Sequence, residues 1–145
     1  MAIRLARQDD MPALLNLYAH LNPNDPPLAQ NTAQALWQQM LTSPGLFIFL
    51  GDINGQVVTT CTLIVTPNLT RGGRPYAIIE NVVTHSEFRN QGLGKAILAE
   101  AVRRAAESNC YKVVLTTGSK RESTLAFYEK AGFSRNSRSA FEIRL

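Results

Sequence analysis

Ala77-Ile-Ile-Glu-Asn-Val-Val-Thr84, followed after a short turn by Arg89-Asn-Gln-Gly-Leu-Gly-Lys95, is the stretch on which the reading of this chain turns. Its first half is mostly apolar and rich in Ile and Val, which predicts a strand buried on both faces. Glu80 and Asn81 are polar intruders in it. From Leu93 onward, Ile97, Leu98, Ala101, Val102 and Ala105 recur at helical spacing. The unit is strand, glycine loop, helix. Glycines let a ligand approach backbone N–H groups that the first helical turn leaves unpaired, and the helix dipole favours an anion there. The predicted ligand is a phosphate or pyrophosphate.

Around this unit the other elements fall into place. Ala2 to Arg7 alternates as a first strand, and Asp9 or Asp10 is placed to cap a helix with Met11, Leu14, Leu15, Tyr18 and Leu21 on one side. Asn22-Pro-Asn-Asp-Pro-Pro27 stops that helix, and a second begins at Asn31 and ends before Ser43-Pro-Gly45. The loop between the two is a candidate substrate wall. Leu46 to Gly51 and Gln56 to Thr66 read as strands joined at Asn54-Gly55, a dipeptide suited to a tight hairpin. Tyr111 to Thr116 reads as a strand parallel to the central one, with a right-handed crossover. Ser119-Lys-Arg-Glu122 has capping-box spacing for a last helix that stops at Gly132, and Ala140 to Leu145 reads as a final strand.

Composition narrows the function classes. With 145 residues and 45% hydrophobic content, the chain suits a single domain spanning 1–145. The longest apolar run, Leu46 to Leu50, is far too short to cross a bilayer, so a soluble cytoplasmic protein with no membrane partner is expected. Cys61 and Cys110, His20 and His85 show no metal-ligand spacing, and no metal is expected. The net charge of +4 suits an acidic partner, but the basic residues are scattered from Arg4 to Arg144 without a run. That favours a solvated basic surface over a nucleic-acid patch.

Two better-known glycine fingerprints fail here. A dinucleotide fold needs a third glycine where Ile97 stands, and a P-loop needs glycine at Arg89 and Ser or Thr at Ala96. What remains, Arg-x-x-Gly-x-Gly after an apolar strand, resembles the acetyl-coenzyme A loop of the GNAT superfamily of N-acetyltransferases. Leu125-Ala-Phe-Tyr-Glu-Lys-Ala-Gly-Phe133 is similar to that family's Tyr-x-x-x-Gly-Phe signature. The order of elements also matches over essentially the whole chain. The resemblance implies an α+β fold: a twisted, mostly antiparallel sheet flanked by helices, with a parallel β-α-β unit opening a V-shaped cleft. In that cleft the pantetheine arm of acetyl-coenzyme A would pair with the backbone of Val82, Val83 and Thr84. The loop of Arg89, Asn90, Gln91, Gly92, Leu93, Gly94 and Lys95 would cradle the pyrophosphate.

Attack of an amine on a thioester requires a base, an oxyanion donor and an acid for the departing sulfur. Glu80 is the candidate base, since a carboxylate in an Ile/Val strand is costly to bury and desolvation raises its pKa. Pairing with a neighbouring arginine or backbone group is the structural alternative. The family resemblance implies a backbone N–H at Val82 or Val83 as the oxyanion donor and Tyr128 as general acid. Tyr128 as a wall residue with a satisfied hydroxyl is the alternative there. Many members carry Asn where Arg121 stands; the departure puts the usual amide contact in doubt, and an arginine there is long enough to reach a phosphate. His85 is expected in a turn and His20 on a helix surface.

The blocks around Ile79 to Lys95 and Cys110 to Phe133 look like glucosamine-6-phosphate N-acetyltransferases and like bacterial members of unassigned specificity. That subgroup commonly has an acid at Asn81. A small-molecule amine or a peptide amine is the expected acceptor, and relatives commonly form homodimers. A non-catalytic acyl-coenzyme A sensor and a nucleic-acid-binding module are the readings from other classes.

Overall fold

The computed structural model describes residues 1–145. Five strands form one sheet in chain order: β1 Ala2–Leu5, β2 Leu46–Ile53, β3 Gln56–Thr66, β4 Tyr76–Thr84 and β5 Val113–Leu115. The first four are antiparallel and β4 pairs with β5 in parallel. Four helices, α1 Met11–Tyr18, α2 Gln30–Thr42, α3 Leu93–Glu107 and α4 Glu122–Lys130, complete the mixed α/β fold. None is long and apolar enough to cross a membrane.

Strand periodicity divides the core between the sheet's two faces. Because alternate side chains point to opposite sides, Phe49 of β2 joins Cys61, Leu63, Ala77 and Ile79 beneath α3. There they meet Ile97, Leu98, Ala101 and Ala105, all buried on the helix's apolar stripe. Ile48 and Leu50 point the other way, to Leu14 of α1 and Trp37 of α2. The Trp37 indole donates to the Gln8 carbonyl at 2.9 Å, satisfying its one donor. The β2–β3 hairpin turns at Asn54 and Gly55, with φ of 52° and 84°. Two successive left-handed residues match the strands' twist, which is why Asn-Gly suits the turn.

Several details depart from expectation. The α1 helix buries Leu14 and Leu17, whereas Leu15 is exposed, so the buried stripe is rotated from the expected one. Asp10 does not cap α1 with its side chain. Its carboxylate instead accepts from the Arg4 guanidinium at 2.6 and 2.7 Å and from the Arg7 N–H at 2.7 Å. The last helix begins at Glu122, where the Glu122 carboxylate turns away to Arg135 rather than back to the cap. Ser119 Oγ accepts from the Arg121 N–H at 3.3 Å, so the capping box is not formed. The parallel strand is shorter than expected, Val113–Leu115 against 111 to 116. No strand forms at Ala140 to Leu145. The alternation there is correct for a strand, but a strand needs a ladder partner, and Phe141 and Ile143 are left 96% and 88% exposed.

The Arg4–Asp10 pair, mostly buried at its carboxylate, holds the Asp10 carboxyl below the usual aspartate range, chiefly through the side-chain hydrogen bond from Arg4. A depressed carboxyl stabilises the fold above its unfolded pKa, and the effect disappears as pH falls through the folded value. Asp10→Asn should therefore lower Tm by about 2–4 °C at pH 7, a scale of about 1 kcal/mol for a chain of this size. The gap to the unchanged protein should close in acid, as read by calorimetry across a pH series.

Candidate active site

Beyond β4, His85 opens a 3-10 turn, Ser86–Phe88, with Nδ1 accepting from the Glu87 N–H at 3.3 Å. The chain then passes through Asn90 and Gly92, at φ 62° and 79°, and enters α3. The backbone N–H groups of Asn90, Gln91, Gly92, Leu93, Gly94 and Lys95 have no acceptor within the chain. They surround the positive end of a helix of 15 residues, a strong arrangement for a multiply charged phosphate.

The two loop glycines answer to different constraints. A Cβ at Gly92 would meet no atom within 4 Å, so that position needs glycine for its left-handed backbone and stays open to a ligand. A Cβ at Gly94 would lie 3.0 Å from the Phe127 ring and 3.4 Å from Thr84 Oγ1. Gly94 therefore lets α3, α4 and the end of β4 close on one another. Lys95 is exposed and has no carboxylate partner. Arg89, also exposed, is committed instead: its guanidinium donates to the Thr84 carbonyl at 3.1 Å and the His20 carbonyl at 3.4 Å. The His20 and His85 rings stack at 4.1 Å beside it, fastening the end of α1 to the loop.

The central strand is kinked at its polar pair. Across the β3–β4 ladder Thr62 faces Glu80 and Thr60 faces Val83, so Cys61 alone opposes both Asn81 and Val82. This is a β-bulge, with Asn81 at φ 53°. The parallel pairing with β5 stops just before it, at Ile79 opposite Leu115. From Glu80 to Thr84 the edge of β4 facing away from β3 is thus unpaired, and the sheet opens into the expected cleft, running toward the glycine loop. Val82 and Val83 turn their side chains into the protein, leaving backbone at the cleft.

Glu80 is exposed, which corrects the expectation of a strand buried on both faces and of a desolvated carboxylate. The bulge and the departure of β5 uncover the strand at this point. The Glu80 carboxylate also has neither an arginine within ion-pair distance nor a backbone donor, so the pairing alternative is not met. Tyr128 of α4 is half-buried, edge-on to Phe127 and Phe133 at 5.0 and 6.5 Å, and its hydroxyl makes no hydrogen bond within the chain. Burial first, and the Cys61 thiol and Glu80 carboxylate after it, push the phenol above its ordinary pKa. Cys61 is buried and pushed up to about 12 by desolvation, consistent with an inert core thiol. Arg121 is exposed at the start of α4 with its guanidinium uncommitted.

Two features escaped the linear reading. A hollow of about 560 Å³ beside the start of β5 is lined by Arg71, Arg74, Lys112 and Arg138, none in an ion pair. These cations come from three segments, 71–74, 112 and 138, so no spacing in the chain announces their meeting. The bulge was also unforeseen, although a left-handed-tolerant Asn within a β-branched run was its one visible sign.

The model of the acetyltransferase (GNAT) family matches residues 11–133. A glucosamine 6-phosphate N-acetyltransferase from Trypanosoma brucei brucei is 33% identical over 95% of this chain and 92% of its own. A solved structure from Agrobacterium tumefaciens str. C58, described only provisionally as an acetyltransferase, covers both chains in full at 46% identity and a TM-score of 0.96. Glucosamine-6-phosphate N-acetyltransferase from Arabidopsis thaliana shares the fold, with a TM-score of 0.85 at 21% identity over 98% of this chain and 97% of its own. An unpaired amide cradle, a sheet that splits beside it and these relatives agree: the chain belongs to the GNAT family of acetyltransferases, which draw their acetyl group from acetyl-coenzyme A.

Proposed function

We propose that the chain acetylates the primary amine of a small anionic acceptor, glucosamine 6-phosphate or a close chemical relative, by direct attack on acetyl-coenzyme A. The observation that carries the reading is the row of unpaired amides from Asn90 to Lys95 standing at the mouth of the cleft along β4. The pyrophosphate rests on those amides with Lys95 beside them, and Arg121 is free to reach a phosphate oxygen. Arg89 contributes by holding the loop to Thr84 and His20 rather than through a free charge. The pantetheine arm lies along the backbone of Val82, Val83 and Thr84, which delivers the thioester to the bulge.

The exposed Glu80 carboxylate takes the amine proton, directly or through water. The new C–N bond forms as the carbonyl electrons move to oxygen, where the Val82 or Val83 N–H meets the charge; such a donor lowers the barrier by about 3 kcal/mol. Collapse breaks the C–S bond, and Tyr128 gives its proton to the departing sulfur. A phenol lifted above its usual pKa stays protonated across neutral pH, as this step requires.

The anionic acceptor is supported by the relative's name and by the basic hollow at the start of β5, at the end of β4 away from the glycine loop. Arg74 is held there by the Asn109 and Cys110 carbonyls at 3.2 and 3.0 Å, and Lys112 lies over the Tyr76 and Tyr111 rings. Arg71, Arg74, Lys112 and Arg138 line this hollow with no carboxylate paired to any of them. A phosphate would be attracted to it.

Thiol release from acetyl-coenzyme A against a panel of amines, beginning with glucosamine 6-phosphate and glucosamine, tests the reading. Turnover should favour the phosphorylated sugar; no thiol release with any amine would reject acetyl transfer. Tyr128→Phe should cut kcat at least tenfold while acetyl-coenzyme A affinity stays within about twofold, and Glu80→Gln should cost about 100-fold in kcat. Replacing Arg74 and Lys112 together with alanine should raise KM for glucosamine 6-phosphate roughly tenfold and leave glucosamine almost unaffected.

A further inference from the structure

Two hydroxyls on the α1 side of the sheet, Tyr18 Oη and Thr62 Oγ1, are sealed from solvent and bonded to nothing. Native folds rarely leave buried hydroxyls unpaired, because each has lost its water without replacement. Thr62 is only 3% exposed, and its partner across the ladder is Glu80. Tyr18 ends α1, the helix packed on β3 and β4 at this point. Burial raises the Tyr18 phenol above its ordinary pKa, while the nearby side chains of Thr62 and Asn81 pull against that rise without a hydrogen bond being formed. The phenol therefore stands beside Asn81, whose left-handed backbone creates the bulge.

The other end of this helix turn is also fixed. Two residues after Tyr18, the His20 carbonyl accepts from Arg89 and its ring stacks on His85, both in the segment leading into the glycine loop. The end of α1 thus references the pyrophosphate cradle on one side and the bulge on the other.

We propose that Tyr18 is a positioning residue: in the loaded site its hydroxyl, with that of Thr62, bonds the Asn81 carboxamide and so sets the Val82 N–H and the Glu80 carboxylate for acyl transfer. The proposal rests on the acyl-transfer reading above. Hydroxyls unbonded in the free chain are available to bond when the thioester presses on the bulge, and interactions gained only in the loaded site favour the reaction over ground-state binding.

Tyr18→Phe removes the oxygen and keeps the ring. With glucosamine 6-phosphate as acceptor, kcat should fall about tenfold, with KM for acetyl-coenzyme A within about twofold and Tm unchanged or raised. Thr62→Val should behave alike, and the double variant should lose no more than either single one, because all three disable one unit. A second measurement needs no acceptor: in 15N-valine-labelled protein loaded with acetyl-coenzyme A, Tyr18→Phe should displace the Val82 amide resonance. Unchanged kcat with an unmoved Val82 resonance overturns the proposal, as do losses that multiply in the double variant. If acetyl-coenzyme A shifts no valine amide in the unaltered protein, the acyl-transfer reading fails and takes this one with it.

Discussion

One strand must serve two neighbours that pull apart, and that constraint organises the molecule. On one edge β4 keeps its ladder with β3 almost to its end, through Thr59 opposite Thr84. On the other it can hold β5 only from Ala77 to Ile79. The conflict is resolved by the bulge at Asn81 and Val82, which adds a residue on one side and leaves the far edge without a partner. Peptide groups on such an edge carry unmet hydrogen-bonding capacity, and an extended amide-containing arm is the ligand that satisfies it best.

Packing makes the split affordable. Cys61, Leu63 and Ile79 press on α3 around the bulge, with the Cys61 thiol directed at the Ile97 carbonyl at 3.8 Å. On the opposite face Thr60 donates to the Phe49 carbonyl at 2.7 Å, and on the α3 side Thr59 bonds the Val83 carbonyl and Thr84 Oγ1, at 3.1 and 2.8 Å. Thr59 thereby ties down the end of β4 just past its irregular pairing, while Thr60 ties β3 to β2. The same strand contains Thr62, whose hydroxyl alone among these lacks a partner, opposite the carboxylate proposed as base.

Charge is distributed with equal economy. At the glycine loop the anion-binding capacity resides in backbone amides and a helix terminus, while Arg89 is committed to carbonyls. At the other end of β4 it resides in side chains, four cations around a hollow. Amides fixed by helix geometry need no ordering when a ligand arrives, whereas arginine and lysine gain from the aromatic rings and carbonyls that hold them still.

Local rules made much of this legible. Spacing of Leu93, Ile97, Leu98, Ala101 and Ala105 placed α3, Asn54-Gly55 placed the hairpin, and Gln56 to Thr66 was bounded correctly because alternation and turn chemistry act over a few residues. The glycine loop and the Tyr128 block pointed to the family because their residues are contiguous. What the linear order could not carry was anything decided by a partner distant in sequence. Ala140 to Leu145 alternates like a strand yet finds no ladder, Glu80 sits in an apolar run yet lies exposed, and Asp10 leaves its helix cap for Arg4. Tyr18, Thr62 and Asn81 meet only because α1 crosses the sheet at the bulge. Periodicity determined which elements exist; the competition of neighbouring strands for β4 decided where the sheet opens, since a peptide edge is paired or free only in three dimensions.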